Sequence, residues 1–445
     1  MITPSWSGPG SERERGIRLR PFQAALQVLL KHHQSCKTDF ANLPKIKVSK
    51  VSHNTIFKNS PFQERLDDLN LVRDWTSWNG YKSARTFDTL ASEYFAIRST
   101  CSLMDLTPME KYRVRGPDAE SFLNRLVTRD ISKLEIDKVT YVIWCNDEGK
   151  VLDDGTLFRL SDNDYRLCAQ HHQLDWLGIS SLGFDVSIEK ETDQIAALAV
   201  QGPTSYAVLS RAGFEGLDKL KPFHFLRQQI FDIDLMISRT GFTGDLGYEI
   251  WISPEHAINL WDLIYAECEN GKFDIRPIGL NALNMVRIEA GFIMPGEDFV
   301  TAETAIRADR VRSPFELGLS WLVDFDKPYF TGKQALLVES KKPVQRKLLK
   351  LSVEGNKPPA DAFIYNGKNG NRVGTVKSCV WSPILKANLT LSDIEFENGI
   401  CPKQLWAEIY YQKELDWKSS WSLCHISKKP FWKHPRSSST PPLLY

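Results

Sequence analysis

The chain has 445 residues, enough for two or three domains of ordinary size. Fifty-six Lys and Arg against 55 Asp and Glu leave a formal charge of +1, which removes the strong basic field expected of a nucleic-acid binder. The longest apolar runs fall well short of the roughly 18 residues that a bilayer span needs, and eight cysteines without a CxxC pair argue against a disulfide scaffold and a zinc ribbon. These features predict a cytoplasmic protein with no membrane or nucleic-acid partner and no metal.

In chain order, the first 50 residues carry nine basic groups against Glu12, Glu14 and Asp39, among Pro4, Gly8, Pro9 and Gly10. Residues 1–58 read as a flexible basic extension. A transit peptide, which would move the chain to the mitochondrial matrix, is the alternative that the two early glutamates weaken. From 59 to 326 short strands alternate with helices. Lys111–Gly116 reads as a strand and Asp118–Thr128 as a helix with Phe122, Leu123 and Leu126 on one face. Val139–Cys145 and Lys150–Leu160 read as a hairpin around Asn146-Asp147-Glu148-Gly149. Ala196–Gly202 is an apolar strand followed by a short helix over Pro203–Ala212. Ser253-Pro254 is the N-cap and first residue of a helix with Ala257, Trp261 and Ile264 in a stripe. This is α+β patterning without a regular βαβ repeat. Beyond Lys327, the segments Leu348–Val353, Asp361–Asn366, Arg372–Val380 and Asn388–Asp393 read as strands of a small barrel or sandwich. Residues 433–445, rich in Ser and Pro, read as a loose tail.

There is no phosphate-binding Walker loop, GxGxxG, HExxH or GxSxG. His171-His172 makes a poor chelate, because neighbours on a strand point to opposite faces; surface or supporting roles remain for it. Three other constellations carry chemistry. In Asp153-Asp154, alternation groups Asp154 with Leu152, Phe158 and Leu160, and Asp153 with Val151 and Arg159. A carboxylate among apolar side chains has a raised pKa and a cost unless its charge or proton is used; a strand-end aspartate bonded to the turn is equally compatible. In Ser238–Trp251, Gly241, Gly244 and Gly247 let backbone approach a ligand closely. Glu249, in the apolar strand Tyr248–Ile252, either accepts the amino and ring N–H of a flat heterocycle or pairs with Arg239. Arg276–Gly291 contains a helix with Leu280, Leu283 and Arg287 near one face, and from this segment alone Arg287 and Glu289 read as members of a salt-bridge network.

Together with Met104-Asp105-Leu106, Gly116-Pro117-Asp118-Ala119, Cys145-Asn146-Asp147-Glu148-Gly149, Val200-Gln201-Gly202-Pro203, Arg287-Ile288-Glu289-Ala290, Pro314-Phe315-Glu316-Leu317-Gly318-Leu319 and Gly374-Thr375-Val376-Lys377-Ser378, these pieces stand in a telling order. From about Pro61 to Trp432 the chain resembles the glycine cleavage system T-protein (aminomethyltransferase) family, whose relatives include dimethylsulfoniopropionate demethylase. The resemblance implies an α+β, three-domain, cloverleaf-like folate-binding fold. Two interwoven α+β domains (59–326) and a C-terminal β-barrel (327–432) would surround a funnel that holds tetrahydrofolate as co-substrate. It implies that Asp154 is the catalytic aspartate and that Glu249 grips the pterin edge. Tyr141, Trp321, Phe242 and Met109 would line the folate site, with Arg287 kept among its candidate contacts.

The implied activity is transfer of an aminomethyl unit from a carrier protein to tetrahydrofolate, giving methylenetetrahydrofolate and ammonia. The chain departs from the family at Leu283 and Asn284, where an arginine and an aspartate are usual, at Thr107-Pro108-Met109, and in a longer loop over Ala302–Ser313. These departures weaken the expectation of a lipoyl carrier protein. They keep open a tetrahydrofolate-dependent demethylase of a small methylated donor such as dimethylsulfoniopropionate. A non-catalytic folate-binding module is the third reading, opposed by the retained Asp154.

Overall fold

The structure is a computed structural model that describes residues 57–269 and 271–442, so the basic extension lies almost wholly outside the described residues. Helix α1 (Gln63–Leu69) precedes a hairpin of β1 (Asp74–Trp78) and β2 (Tyr81–Thr86). Helix α2 (Leu90–Ser99), whose first turn is capped by the Thr89 hydroxyl accepting from the Ser92 N–H, leads into β3 (Cys101–Asp105) and β4 (Glu110–Arg115). Helix α3 (Ala119–Leu126) buries Ala119, Phe122, Leu123 and Leu126, the stripe read from its periodicity. Then come β5 (Val139–Cys145), β6 (Val151–Ser161), β7 (Asp164–Ala169), α4 (Leu174–Ser180), β8 (Ser187–Lys190), β9 (Ala196–Gln201) and α5 (Ser205–Arg211). Strands β10 (Phe225–Ile230), β11 (Ile233–Ser238) and β12 (Gly247–Ile252) precede α6 (Ala257–Glu269). That helix begins with a 3-10 turn at Pro254, and the expected Ser253 side-chain cap is not made. After β13 (Ile275–Pro277), α7 (Leu280–Ala290) and α8 (Lys333–Ser340) come β14 (Arg346–Val353), β15 (Phe363–Asn366), β16 (Asn371–Ser382), β17 (Ala387–Glu395), β18 (Leu405–Lys413) and β19 (Asp416–Ser427). Among the described residues no helix is long and apolar enough to cross a membrane.

The strands form a six-stranded sheet in the order β10-β11-β12-β9-β3-β13, a five-stranded sheet in the order β5-β6-β7-β4-β8, and a closed barrel β14-β17-β16-β15-β18-β19. Closure leaves the barrel no free edge to pair with another chain. The last two barrel strands escaped the sequence reading; their outer-face residues, Tyr410 and Trp417 among them, are exposed and aromatic, which blurs the alternation. A shared core joins the two open sheets. Phe158 and Cys168 from one meet Ala199, Met236 and Trp251 from the other, with Leu283 and Val286 of α7 beside them. Phe158 and Trp251 stack edge to face with centroids 5.2 Å apart, a geometry worth about 0.5–1.5 kcal/mol beyond area burial.

One buried ionic network, joined at Arg98, locks this frame. Glu289 accepts from Arg98, from the Tyr94 hydroxyl at 2.7 Å and from the Ser382 hydroxyl at 2.6 Å, tying α2 and α7 to the barrel. Asp245 lies 3.7 Å from Arg98 and takes a two-pronged contact from Arg436 at 2.5 and 2.9 Å. Arg239 donates to the carbonyls of Arg436 and Ser439 and to the Thr440 hydroxyl. The stretch read as a loose tail is therefore tied down as far as Thr440, by partners about 200 positions away that no local pattern reveals.

Candidate active site

The hairpin of β5 and β6 sets out the first acid. Its register skips one residue, Trp144 standing opposite Asp153 but Cys145 opposite Val151. This bulge overturns the simple alternation. Leu152 packs with Val142 and Trp144 on the Asp153 side, while Val151 joins Ile143 and Cys145 on the side of Asp154. Both faces of the strand are buried, and Asp153 is wholly so. The Asp154 N–H donates to Asp153 Oδ1 at 2.9 Å, and the Tyr141 hydroxyl donates to Asp154 Oδ2. Burial, reinforced by the charge of Asp153, pushes Asp154 up to about 7. Burial, with Asp154 close by, holds the Tyr141 phenol well above its ordinary range, so it stays a donor. The Tyr141 ring lies 6.2 Å from Trp321, an indole 63% exposed with the Arg129 guanidinium 5.8 Å from its face. Alongside them opens a cleft of about 650 Å³ lined by Arg129, Lys133, Thr140, His224, Trp321 and Phe325, among others.

The second acid sits on the facing sheet. Glu249 of β12 stands opposite Ala199 and Ser238. It accepts from the Thr240 hydroxyl, and among the described residues no cation lies within ion-pair distance. Burial pushes it up to about 7. The pairing with Arg239 is not made, because Arg239 holds the C-terminal segment instead. The glycines have a different use from the expected one. A Cβ at Gly241 or Gly247 would stand 2.1 Å from Gln201 Oε1. The Gln201 side chain threads between them, donating to the carbonyls of Thr240 and Tyr248 at 3.2 and 3.1 Å and accepting from the Thr243 hydroxyl at 2.9 Å. The close approach they allow is to a side chain of the protein itself, and it fixes the strand that carries Glu249.

Met109 and Phe242 pack against the core shared by the two sheets, and Phe242 stacks on Phe292 with centroids 5.4 Å apart. Arg287 is fully buried and wholly engaged. It donates to Asn284 Oδ1 at 2.8 Å, the Phe292 carbonyl at 3.1 Å, Asp298 and the Ser378 hydroxyl at 3.1 Å. Asn284, one of the departures from the family pattern, thus supports this network, and Leu283 is buried beside it. Arg287 bears on Asp154 through Asp298, whose charge helps raise the acid. The longer loop is strapped to β6, with the Ala302 N–H donating to the Val151 carbonyl at 2.8 Å and the Val151 N–H to the Arg312 carbonyl at 2.9 Å. Sequence reasoning missed Asp153, His171, Thr240 and Asp298. The first two stand in sequence doublets; Asp298 carries no local signal.

Tyr141, Asp154 and Trp321 thus lie on the side of β5 and β6, and Glu249, Phe242 and Met109 on the side of the core that the two sheets share. This can hold a flat heterocycle between apolar walls with few polar partners and handle one proton near neutrality. The family model described as the GCVT N-terminal domain matches residues 69–327. Over 345 residues the chain is 34% identical to an aminomethyltransferase of Caldanaerobacter subterraneus subsp. tengcongensis, covering 76% of this chain and 88% of that protein. An aminomethyltransferase of Thermotoga maritima is 30% identical over 339 residues, with 75% and 89% covered. A trimethylamine-oxide aldolase of Ruegeria pomeroyi is 32% identical over 355 residues, 76% of this chain but 43% of that protein. The crystal structure of glycine cleavage system aminomethyltransferase T from Bartonella henselae superposes with a TM-score of 0.71 at 23% identity, over 85% of this chain and 98% of that one.

Proposed function

The chain belongs to the T-protein (aminomethyltransferase) family, tetrahydrofolate-dependent transferases, and from that premise we propose that it moves an aminomethyl unit from a donor to tetrahydrofolate, with Asp154 at the reacting nitrogens and Glu249 at the pterin edge. One observation carries the reading: two acids on facing sheets, neither bonded to a cation among the described residues, are each pushed up to about 7. A buried acid without a cation partner costs stability unless a ligand uses it. Glu249 offers two oxygens to a ring N–H and an amino group, and the Thr240 hydroxyl steadies it. Tyr141, Trp321, Phe242 and Met109 supply the apolar walls. Asp154, half ionised near neutrality, takes the proton from the attacking nitrogen and is aimed by Tyr141 and Asp153.

The donor side supports a second reading, in which a small methylated amine or sulfonium replaces the carrier-borne unit. Leu283 and Asn284 stand where an arginine and an aspartate are usual in the family, and the strapped loop at 302–313 stands close to β6. One assay separates the two. The protein is incubated with tetrahydrofolate and either an aminomethyl-loaded lipoyl carrier or small methylated donors, and the folate product is identified by mass. Methylenetetrahydrofolate with ammonia supports the first reading, methyltetrahydrofolate the second. Absence of any folate product, with tetrahydrofolate bound, overturns both in favour of a binding module.

A further inference from the structure

His171 is left without a task once Asp154, Tyr141 and Glu249 have theirs, and Asp153, which aims Asp154 with one oxygen, has a second oxygen to use. Asp153 divides its two oxygens. Oδ1 accepts from the Asp154 N–H at 2.9 Å; Oδ2 accepts from the His171 N–H at 2.9 Å and lies 3.6 Å from His171 Nδ1. One fully buried carboxylate therefore fixes the backbone of both the acid and the histidine and stands beside the histidine ring. The two are brought together because β7 ends beside β6, Ala169 standing opposite Gly155, so that His171 emerges next to Asp154. Nδ1 is buried with the Asp153 carboxylate as its nearest charged neighbour and makes no hydrogen bond of normal length. The far side of the ring faces the turn at Gly296, where a Cβ would stand 3.4 Å from Nε2. The side chain keeps 38% of its surface, enough for a substrate group to reach it.

The groups that bear on the ring are Asp153 and Asp154 from β6 and Glu303 from the strapped loop, while Asp298 and Tyr141 bear on Asp154 in turn. The Asp153 carboxylate beside the imidazole holds its pKa above the ordinary 6.5. An acid poised to gain a proton and a histidine poised to give one thus share a single anchoring carboxylate.

We propose that His171, oriented by Asp153, is the donor-side acid of the transfer: it protonates the group leaving the one-carbon unit while Asp154 takes the proton of the attacking folate nitrogen. This rests on the one-carbon reading of the site. In aminomethyl transfer two nitrogen–carbon bonds form on the folate, and two bonds of the transferred carbon break, one to the amine and one to the donor's heteroatom. The two folate N–H protons end on the two leaving groups and no electrons are gained or lost. Each displacement deprotonates a nitrogen at Asp154 and protonates a leaving group at His171. The site resets when the Asp154 proton passes to the neutral imidazole.

Four variants test it: His171→Gln, His171→Ala, Asp153→Asn and, as a control on the exposed neighbour, His172→Gln. Tetrahydrofolate affinity by calorimetry stays within twofold of wild type in His171→Gln, while kcat falls roughly 100-fold, the usual scale for a lost general acid. The alkaline limb of its kcat–pH profile disappears, and added imidazole restores turnover to His171→Ala. The control keeps its turnover. In wild-type protein an NMR titration of the His171 ring has its midpoint above 6.5, and in Asp153→Asn both the midpoint and the alkaline limb move to lower pH. Turnover of His171→Gln within threefold of wild type, or an unchanged alkaline limb, overturns the proposal. If wild-type protein yields no folate product from any donor, the one-carbon reading fails by itself. The titration, which needs no turnover, then decides whether Asp153 and His171 are coupled, and an unmoved midpoint overturns the pairing.

Discussion

Replacing Asp154 with asparagine should cripple the protein's chemistry and strengthen its fold. In the folded chain Asp154 sits near 7 against an ordinary 3.8. Between those values the folded state holds a proton that the unfolded state has lost, so stability declines as pH rises from about 4 to about 7 and stays reduced above it. At about 1.4 kcal/mol per tenfold change in acidity, the ionised side chain costs at most about 4 kcal/mol. Asparagine relieves the charge, and its oxygen still accepts the Tyr141 hydroxyl, but it buries an amide N–H₂ in place of a carboxylate oxygen, so the expected gain at pH 8 is about 1–3 kcal/mol. For a chain of this size that is a rise in Tm of a few degrees. The gain shrinks as pH falls and vanishes near pH 4. Thermal melts of both proteins at pH 5 and pH 8 measure it. Turnover, assayed by folate-product mass, falls about 100-fold or more while tetrahydrofolate still binds. A variant no more stable at pH 8, or a stability difference independent of pH, would refute the picture of a sheltered acid held ready for use. Unchanged turnover would remove Asp154 from the chemistry altogether.

Three further outcomes are expected. Glu249→Ala weakens tetrahydrofolate binding by at least tenfold in calorimetry, on the scale of a charged hydrogen-bond pair. Because burial pushes Glu249 up to about 7, wild-type affinity also climbs as pH rises through that value, and a flat affinity profile would place the pterin elsewhere. Arg287→Met leaves the buried Asp298 without its cation and costs about 3–5 kcal/mol in denaturant unfolding; a loss below 1 kcal/mol would mean that the Met294 N–H and the Ser378 hydroxyl suffice to hold Asp298.

Much of this protein was legible in its sequence because much of it is local. The Asn146–Gly149 turn between two apolar runs dictates the hairpin that carries Asp154, and the stripe Phe122, Leu123, Leu126 dictates a helix with one buried face. An acid at Glu249, in the middle of an apolar strand, announces itself through the cost of burial. Turn chemistry, side-chain period and desolvation all act within a few residues, so a linear reading senses them. What tertiary structure alone decided involves partners far apart in the chain or a register only the paired strands reveal. The bulge opposite Cys145 exchanged the faces of Val151 and Leu152. Gln201 took the space cleared by Gly241 and Gly247, and Arg287 turned to Asp298. Arg436 reached Asp245 across 191 positions and bound down the final segment. His171 gained its meaning only when β7 laid it beside Asp153. Such contacts depend on which strands become neighbours, and that is settled by the packing of whole sheets rather than by any short stretch of residues.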